Sequence, residues 1–157
     1  MPPALTLTDG TTTLDLVGST YKARAGMVDW GRPAPLRAEH GNIFRSAWGI
    51  TGHARGRRSV QVPMRVNSGS LSAFTTALQD LQDALERARA WAQWQLGNRW
   101  YLSWQPGDGK TYQLTVRDGF FVMPPEERDA VRLNSTAPWV ARGMLELDCD
   151  PFWRGAA

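Results

Sequence analysis

One stretch decides the fold of this chain: residues 70–96, which read SLSAFTTALQDLQDALERARAWAQWQL. Apolar side chains recur in this stretch with alternating steps of three and four, at Leu71, Phe74, Leu78, Leu81, Leu85, Ala88 and Ala92. This spacing places them along one side of an α-helix and leaves the polar and charged side chains facing water: Gln79, Asp80, Gln82, Asp83, Glu86 and Arg87. The pattern therefore predicts one long amphipathic helix over 70–96.

Local signals mark both ends of the predicted helix. Ser70 or Ser72 can accept a hydrogen bond from the first turn, and Gly97 is typical of a helix end. An apolar stripe of this kind packs more often on the sheet of its own domain than in a coiled coil. We therefore expect the helix to cover a sheet, with Trp94, which lies off the stripe, in contact with a partner.

Two strand signals precede the helix. Leucines alternate with polar residues on both sides of Asp9-Gly10, and this pattern predicts a β-hairpin. Apolar and polar residues alternate again over 59–66, which predicts a half-buried strand. Because Pro63 has no N–H to donate, we expect it at a sheet edge or in a bulge.

Strands also follow the helix, and their order predicts a meander. It runs from Trp100 through a turn at 106–109 to a return strand over 112–116, and a second tight turn is predicted at Asp118-Gly119. A further strand is predicted from Val131 and a last one over 139–149. The whole chain, 1–157, is therefore predicted to be one α+β domain, mainly β: an antiparallel β-sandwich or split barrel with one long helix packed against it.

Residues 18–57 show no clear period, and glycines and prolines interrupt them repeatedly. Two interpretations remain open: surface loops with short strands and a few aromatic anchors, or a long arm that orders against a neighbouring subunit. In the second interpretation, residues 26–57 form the arm and carry contacts to the neighbour. The candidate contact residues there are Trp30, Arg32, Phe44 and Trp48.

Composition and charge limit the class of protein. The 157 residues are 42% hydrophobic and 21% charged, which is typical of one globular domain. A formal charge of +3 is too small to argue for nucleic acid by itself, and the single cysteine, Cys149, excludes an internal disulfide. No apolar run is long enough to span a membrane, and the N-terminus does not resemble a secretory signal. We therefore expect synthesis in the cytoplasm and no membrane partner.

No group of residues forms a catalytic constellation. His40 and His53 have no second ligand at metal-binding spacing. Asp148 and Asp150 are candidates for calcium, but two carboxylates make a weak site without further oxygen ligands. We expect no enzymatic activity and no cofactor.

Arg55, Arg57 and Arg58 form the one local concentration of positive charge. They could contact phosphate or an acidic partner, or they could form a solvated turn or pair with carboxylates of a neighbouring subunit. Because no aromatic residues alternate with them at strand spacing, they do not form a typical surface for single-stranded nucleic acid. A small module that binds nucleic acid or a host factor through this cluster remains the alternative function.

The most specific stretch is the C-terminal one, LELDCDPFWRG over 145–155. An alternating strand that ends in Asp-Pro-Phe-Trp resembles the end of the N-terminal domain in distal tail proteins of long-tailed bacteriophages and related minor tail proteins. The strand RSVQVPMRV over 58–66 precedes the helix in the same order as in that family, and the hairpin over 97–112 follows it.

The resemblance implies a sandwich or split barrel with one helix, related to tail-tube subunits. It also implies a structural protein of the virion tail, made in the host cytoplasm, that forms a ring of six copies joining the tail tube to the tail tip or baseplate. A tail-tube subunit is the nearest alternative. The implied partners are further copies of the chain and the tail-tube and tail-tip proteins, with nucleic acid only as transported cargo.

Overall fold

The computed structural model describes residues 3–32, 35–40, 49–55, 57–126 and 139–155, with the second and third ranges described by their backbone alone. The helix α1 spans Leu71–Trp94. Within these ranges ten strands accompany it: β1 Ala4–Thr8, β2 Thr13–Asp15, β3 Tyr21–Ala23, β4 Pro35–His40, β5 Gly49–Arg55, β6 Arg58–Ser68, β7 Trp100–Gln105, β8 Tyr112–Val122, β9 Trp139–Cys149 and β10 Arg154–Gly155.

Eight of these strands form one antiparallel sheet in the order β2-β1-β7-β8-β9-β6-β3, with β10 pairing alongside β8. The two ends of this sheet approach each other. Val17, just after β2, forms a bridge with Lys22 of β3, and the Ala23 N–H donates to the Leu16 carbonyl at 2.6 Å. The sheet is therefore nearly closed, like a barrel, and the predicted class, mainly antiparallel β with one helix, is confirmed.

The helix packs on the inner face of this sheet, as its apolar stripe predicts. Its buried residues are Phe74, Ala77, Leu81, Ala84, Leu85, Ala88 and Trp91. The predicted stripe was therefore partly wrong, since Leu71 is 54% exposed while two alanines outside the prediction are buried. Small side chains on the buried face let the helix backbone lie close to the strands, and the predicted spacing misses Ala77 and Ala84 by one position each.

The ends of the helix match the prediction at the start and differ at the finish. The Ser70 hydroxyl accepts a hydrogen bond from the Ala73 N–H at 3.2 Å, as a capping serine does. The last turn ends at Gln95, a left-handed residue with φ of 55°, two positions before the predicted Gly97. The Gln95 N–H donates to the Trp91 carbonyl at 2.9 Å, which satisfies a terminal acceptor without a glycine at that position.

The hairpin around Asp9-Gly10 is confirmed, because β1 pairs with β2. The turn predicted at Asp118-Gly119 was wrong: both residues lie inside β8, where the pairing register with β9 shifts between Val116 and Asp118. The shift is a bulge, and its extra residue moves the buried side of β8 from Val116 to Gly119.

β6 as a whole lies between β9 and β3, but β3 pairs only with residues 64–66, so Pro63 lies at a local edge of the sheet, as expected. β3 ends at Ala23, and the next residue, Arg24, donates its N–H to the Pro63 carbonyl at 3.0 Å. Backbone groups of one residue point to the same side of a strand, so the missing N–H faces a position where no regular strand continues. The strand predicted from Val131 lies outside the described residues.

Residues 18–57 contain more regular structure than their sequence indicates. They hold β3, a short 3₁₀ turn over Ala25–Met27, and the strands β4 and β5, which pair with each other as a separate two-stranded sheet. We call β4 and β5 the arm hairpin. The pairing of β4 with β5 is compatible with both interpretations, and contacts of residues 26–57 with other subunits stay a prediction.

Candidate functional site

The candidate site is the base of the arm hairpin, where the chain leaves and rejoins the barrel. Asp29 and Gln61 exchange two backbone hydrogen bonds, of 2.9 and 2.8 Å, and the Asp29 carboxylate accepts the Gly31 N–H at 2.9 Å. Gly31 has φ of +60°, and a Cβ there would lie 2.1 Å from the Ser59 carbonyl oxygen. Only glycine fits this close approach. The contact between the Gly31 and Ser59 backbones therefore fixes the point where the chain leaves the barrel toward the arm hairpin.

Aromatic side chains from distant parts of the sequence surround this base. Trp30 packs against Trp153 and Trp104, with ring centroids 5.0 and 5.8 Å apart, and Tyr112 packs on Trp153 at 6.3 Å. The three tryptophans are partly buried against the hydrophobic core. Aromatic pairs at such distances add to the stability that area burial provides, so the cluster holds the arm base on the barrel.

The neighbouring arginines have partners within the chain. The Arg57 Nη1 lies 2.6 Å from the Asp148 Oδ2, and this hydrogen bond and the carboxylate charge raise the pKa of Arg57. The Arg57 side chain is 59% exposed, so the pair contributes little to stability. The Arg58 guanidinium lies 5.9 Å from the ring centroid of Trp153, a cation–π arrangement.

Asp148 and Asp150, the weak calcium candidates of the sequence, each pair with an arginine. Asp148 pairs with Arg57, and Asp150 pairs with Arg117. Within the described ranges, no group of three or more acidic, histidine or cysteine side chains could hold a metal ion. Cys149 is buried, and burial raises the pKa of its thiol, which makes it a poor nucleophile.

The structure brings some predicted contact residues together and separates others. Trp30, Arg57 and Arg58 lie at the arm base, where Arg32 is exposed. Arg55 lies in β5, where only the backbone is described. Phe44 and Trp48 lie outside the described residues. Trp104 and Tyr112 were missed because their alternation in sequence indicates only a strand.

Trp94 belongs to a second surface, at the C-terminal end of α1. It is 71% exposed, and Leu96 beside it is 62% exposed. The previous turn of the helix is held firmly, since Trp91 is buried and two guanidinium groups, of Arg99 and Arg117, lie 4.5 and 5.8 Å from its ring. The exposed Trp94 side chain thus projects from a helix end that is packed against the rest of the chain through Trp91.

α1 also bears on the question of a membrane. Among the described residues, no helix is long and apolar enough to cross a bilayer.

Comparisons with known proteins find a similar fold. The crystal structure of the Dit protein (gp 19.1) of phage SPP1, described as a paradigm of the hub adsorption apparatus in phages that infect Gram-positive bacteria, matches over 97% of this chain with a TM-score of 0.55. The sequence identity is 14%, so the likeness shows the fold. The match covers 52% of the Dit chain, and this chain therefore spans about half the length of that protein. No protein-family model matches the sequence, and no curated protein is similar to it at a significant level.

Proposed function

We propose that this chain is a structural subunit of the tail of a long-tailed bacteriophage, and that it forms a ring joining the tail tube to the tail tip. The observation that carries this proposal is the likeness of nearly the whole chain to a hub protein of phage SPP1. Because one fold can serve many functions, the surfaces of this chain must also suit assembly. The proposed partners are further copies of the chain, six to a ring, and the tail-tube and tail-tip proteins.

Exposed apolar side chains support an assembling subunit. Trp94 and Leu96 project from the end of α1, and Phe120, Phe152 and Met27 are each more than half exposed. Aromatic residues and methionine are enriched in the cores of protein interfaces. We assign the Trp94 surface to contact with a neighbouring subunit or tail protein.

The arm hairpin supports the same role. A two-stranded hairpin is at best marginally stable in water. β4 and β5, which form a separate sheet, would therefore gain stability by packing against another chain. Its base is rigid, because Gly31 and the Trp30–Trp153 contact fix the point of exit. In our proposal, residues 26–57 reach a neighbouring subunit from this fixed base.

Limited proteolysis tests the role of the arm. Trypsin should cut within residues 35–55 in a dilute monomer and should cut much more slowly in the assembled protein. Equal protection in both states would contradict a contact between this segment and a neighbour. Cleavage elsewhere in the chain serves as the internal control.

The alternative, binding of nucleic acid through the arginine cluster, has less support. Arg57 is paired with Asp148 and Arg58 stacks over Trp153, so neither guanidinium is directed by the protein toward a phosphate. We propose a non-enzymatic structural role for the chain.

Light scattering after size-exclusion chromatography tests assembly directly. The full chain should elute as an oligomer, and Trp94→Ser should weaken the oligomer, whereas Leu71→Ser, at the exposed opposite end of α1, should not. The same samples titrated against duplex DNA test the alternative. Tight DNA binding by a monomeric protein, lost in Arg57→Gln, would contradict the proposal.

A further inference from the structure

Three cationic residues lie directly opposite one another on neighbouring strands. Lys22 of β3 pairs in register with Arg65 of β6, and Arg65 pairs in register with Arg142 of β9. Their neighbours Tyr21 and Ala141 are buried on the helix side of the sheet. Because side chains alternate between faces along a strand, the three cations lie on the outer face, opposite α1. We call them the basic row.

A surface cavity of about 440 Å³ lies over the basic row. Arg24, two residues after Lys22, adds a fourth cation to its lining, and among the residues that the structure describes no carboxylate lines it. Arg142 already interacts with another group in the chain, so Lys22, Arg24 and Arg65 supply the positive charge that a partner would meet. The cavity is thus a concentration of positive charge on a chain whose formal charge is only +3.

The register of β3 with β6 places Lys22 directly opposite Arg65, which is unfavourable. Like charges directly opposite on adjacent strands repel one another and destabilise the sheet. An acidic surface placed over the row would remove this repulsion and would add attraction. The row is therefore arranged for a negatively charged partner.

A matching acidic surface exists on the same chain. The solvent side of α1 carries Asp80, Asp83 and Glu86, and the exposed cation Arg87 lies beside them, so this side remains negative overall. Gln79 donates to the Asp83 carboxylate at 2.8 Å and Gln82 to the Glu86 carboxylate at 3.1 Å, so amides hold both groups in place. We call this the acidic helix face.

The basic row and the acidic helix face lie on opposite sides of the domain. The row is on the outer face of the sheet, whereas α1 covers the inner face and turns its acidic side away from it. One copy therefore cannot bring the two surfaces together, but two copies in head-to-tail order can. A contact between two different surfaces of identical chains closes into a ring when the rotation permits.

We infer that the basic row of one subunit contacts the acidic helix face of the next. This inference rests on the proposed function, because it names the contact by which the ring would form. Complementary charges across such a contact also fix the orientation of the subunits and reject the reverse order.

Charge reversal on each surface tests the contact. Lys22→Glu with Arg65→Glu should weaken self-association at least about tenfold, and Asp83→Lys with Glu86→Lys should do the same. The chain that carries all four changes should associate again, since both surfaces are reversed together. Lys110→Glu with Arg154→Glu, at exposed sites away from the basic row, is the control of equal charge change and should associate like the wild type.

Each outcome of the charge-reversal experiment either supports or contradicts the contact between the basic row and the acidic helix face. Wild-type rings with unchanged assembly of the Lys22/Arg65 variant would overturn the contact and leave the proposed function standing, whereas a wild-type chain that stays monomeric would overturn both. If both pairs weaken assembly but the fourfold variant, folded by circular dichroism, is not restored, the surfaces meet different partners and the inference is wrong. Loss of duplex DNA binding without loss of assembly in the Lys22/Arg65 variant would assign the row to nucleic acid instead.

Discussion

Trp30 and Trp153 pack edge to face, with ring centroids 5.0 Å apart and planes inclined by 62°. The first lies at the base of the arm hairpin and the second follows β9, so this contact joins the arm to the C-terminal part of the barrel. The Asp-Pro-Phe-Trp ending thus has a physical role in this chain. It carries the chain from β9 to β10 and places a tryptophan under the arm.

We predict that Trp153→Ala destabilises the protein by about 2–4 kcal/mol, because it removes two aromatic contacts and leaves Trp30 partly unsupported. Phe152→Ala is the matched control, since Phe152 is 63% exposed. It should change the free energy of unfolding by less than about 0.5 kcal/mol. Urea unfolding followed by tryptophan fluorescence measures both, and equal effects would contradict the structural role of Trp153.

The close approach of α1 to β8 predicts the effect of adding one methyl group. A Cβ at Gly119 would lie 2.7 Å from the Leu147 Cδ2 and 2.8 Å from the Leu85 Cδ2. Gly119→Ala should therefore destabilise by about 1–3 kcal/mol in thermal or denaturant unfolding.

Gly69→Ala is the control for Gly119→Ala, because a Cβ at Gly69 meets nothing within 4 Å. It should be neutral or slightly stabilising. If both substitutions proved neutral, the Leu85 and Leu147 side chains would have room to move aside, which would contradict tight packing at Gly119.

The helix also offers a matched pair of leucines. Leu81 is 1% exposed and Leu71 is 54% exposed, although both belong to the apolar stripe of the sequence. Leu81→Ala should cost about 2–5 kcal/mol, because it leaves a cavity between helix and sheet. Leu71→Ala should cost less than about 0.5 kcal/mol in the same denaturant titration. A reversed order would mean that the helix is rotated about its axis.

Tyr21 predicts a pH dependence of stability. Its hydroxyl donates to the Ala77 carbonyl at 2.6 Å, and burial, together with the negative charge of Asp80, raises the pKa of Tyr21 to about 12. Unfolded chains release this proton near the ordinary value of 10.0, whereas the folded protein keeps it. The stability that the raised pKa of Tyr21 contributes is therefore fully present below pH 10. It is lost as the pH rises from 10 to 12.

Tyr21→Phe tests this dependence. The variant should be less stable than the wild type by about 1 kcal/mol near neutral pH, because it lacks the hydrogen bond. The difference in the free energy of unfolding should shrink above pH 10, since the variant has no proton to lose at this site. A difference that stays constant across that range would show that the hydroxyl titrates alike in both states.

The elements that the sequence predicts well are those with a regular period. The alternation along 59–66 and 139–149 predicts β6 and β9, and steps of three and four predict α1. The errors lie where the period breaks. At Asp118-Gly119 the break is a bulge, but a bulge and a tight turn both interrupt alternation, and pairing with β9 decides between them.

The candidate site is less predictable because its contacts join distant parts of the chain. The arginine cluster is visible in the sequence, but nothing local indicates that Asp148 pairs with Arg57 or that Trp153 lies beside Arg58. The basic row is hidden for the same reason. Lys22, Arg65 and Arg142 become neighbours only through the pairing of β3, β6 and β9.

Electron microscopy of the purified full chain tests the central claim most directly. The wild-type chain, without added nucleic acid, should give class averages of closed rings with one rotational symmetry and a central opening. If the protein remained monomeric in light scattering at concentrations well above those used for the grids, the proposed ring would be contradicted.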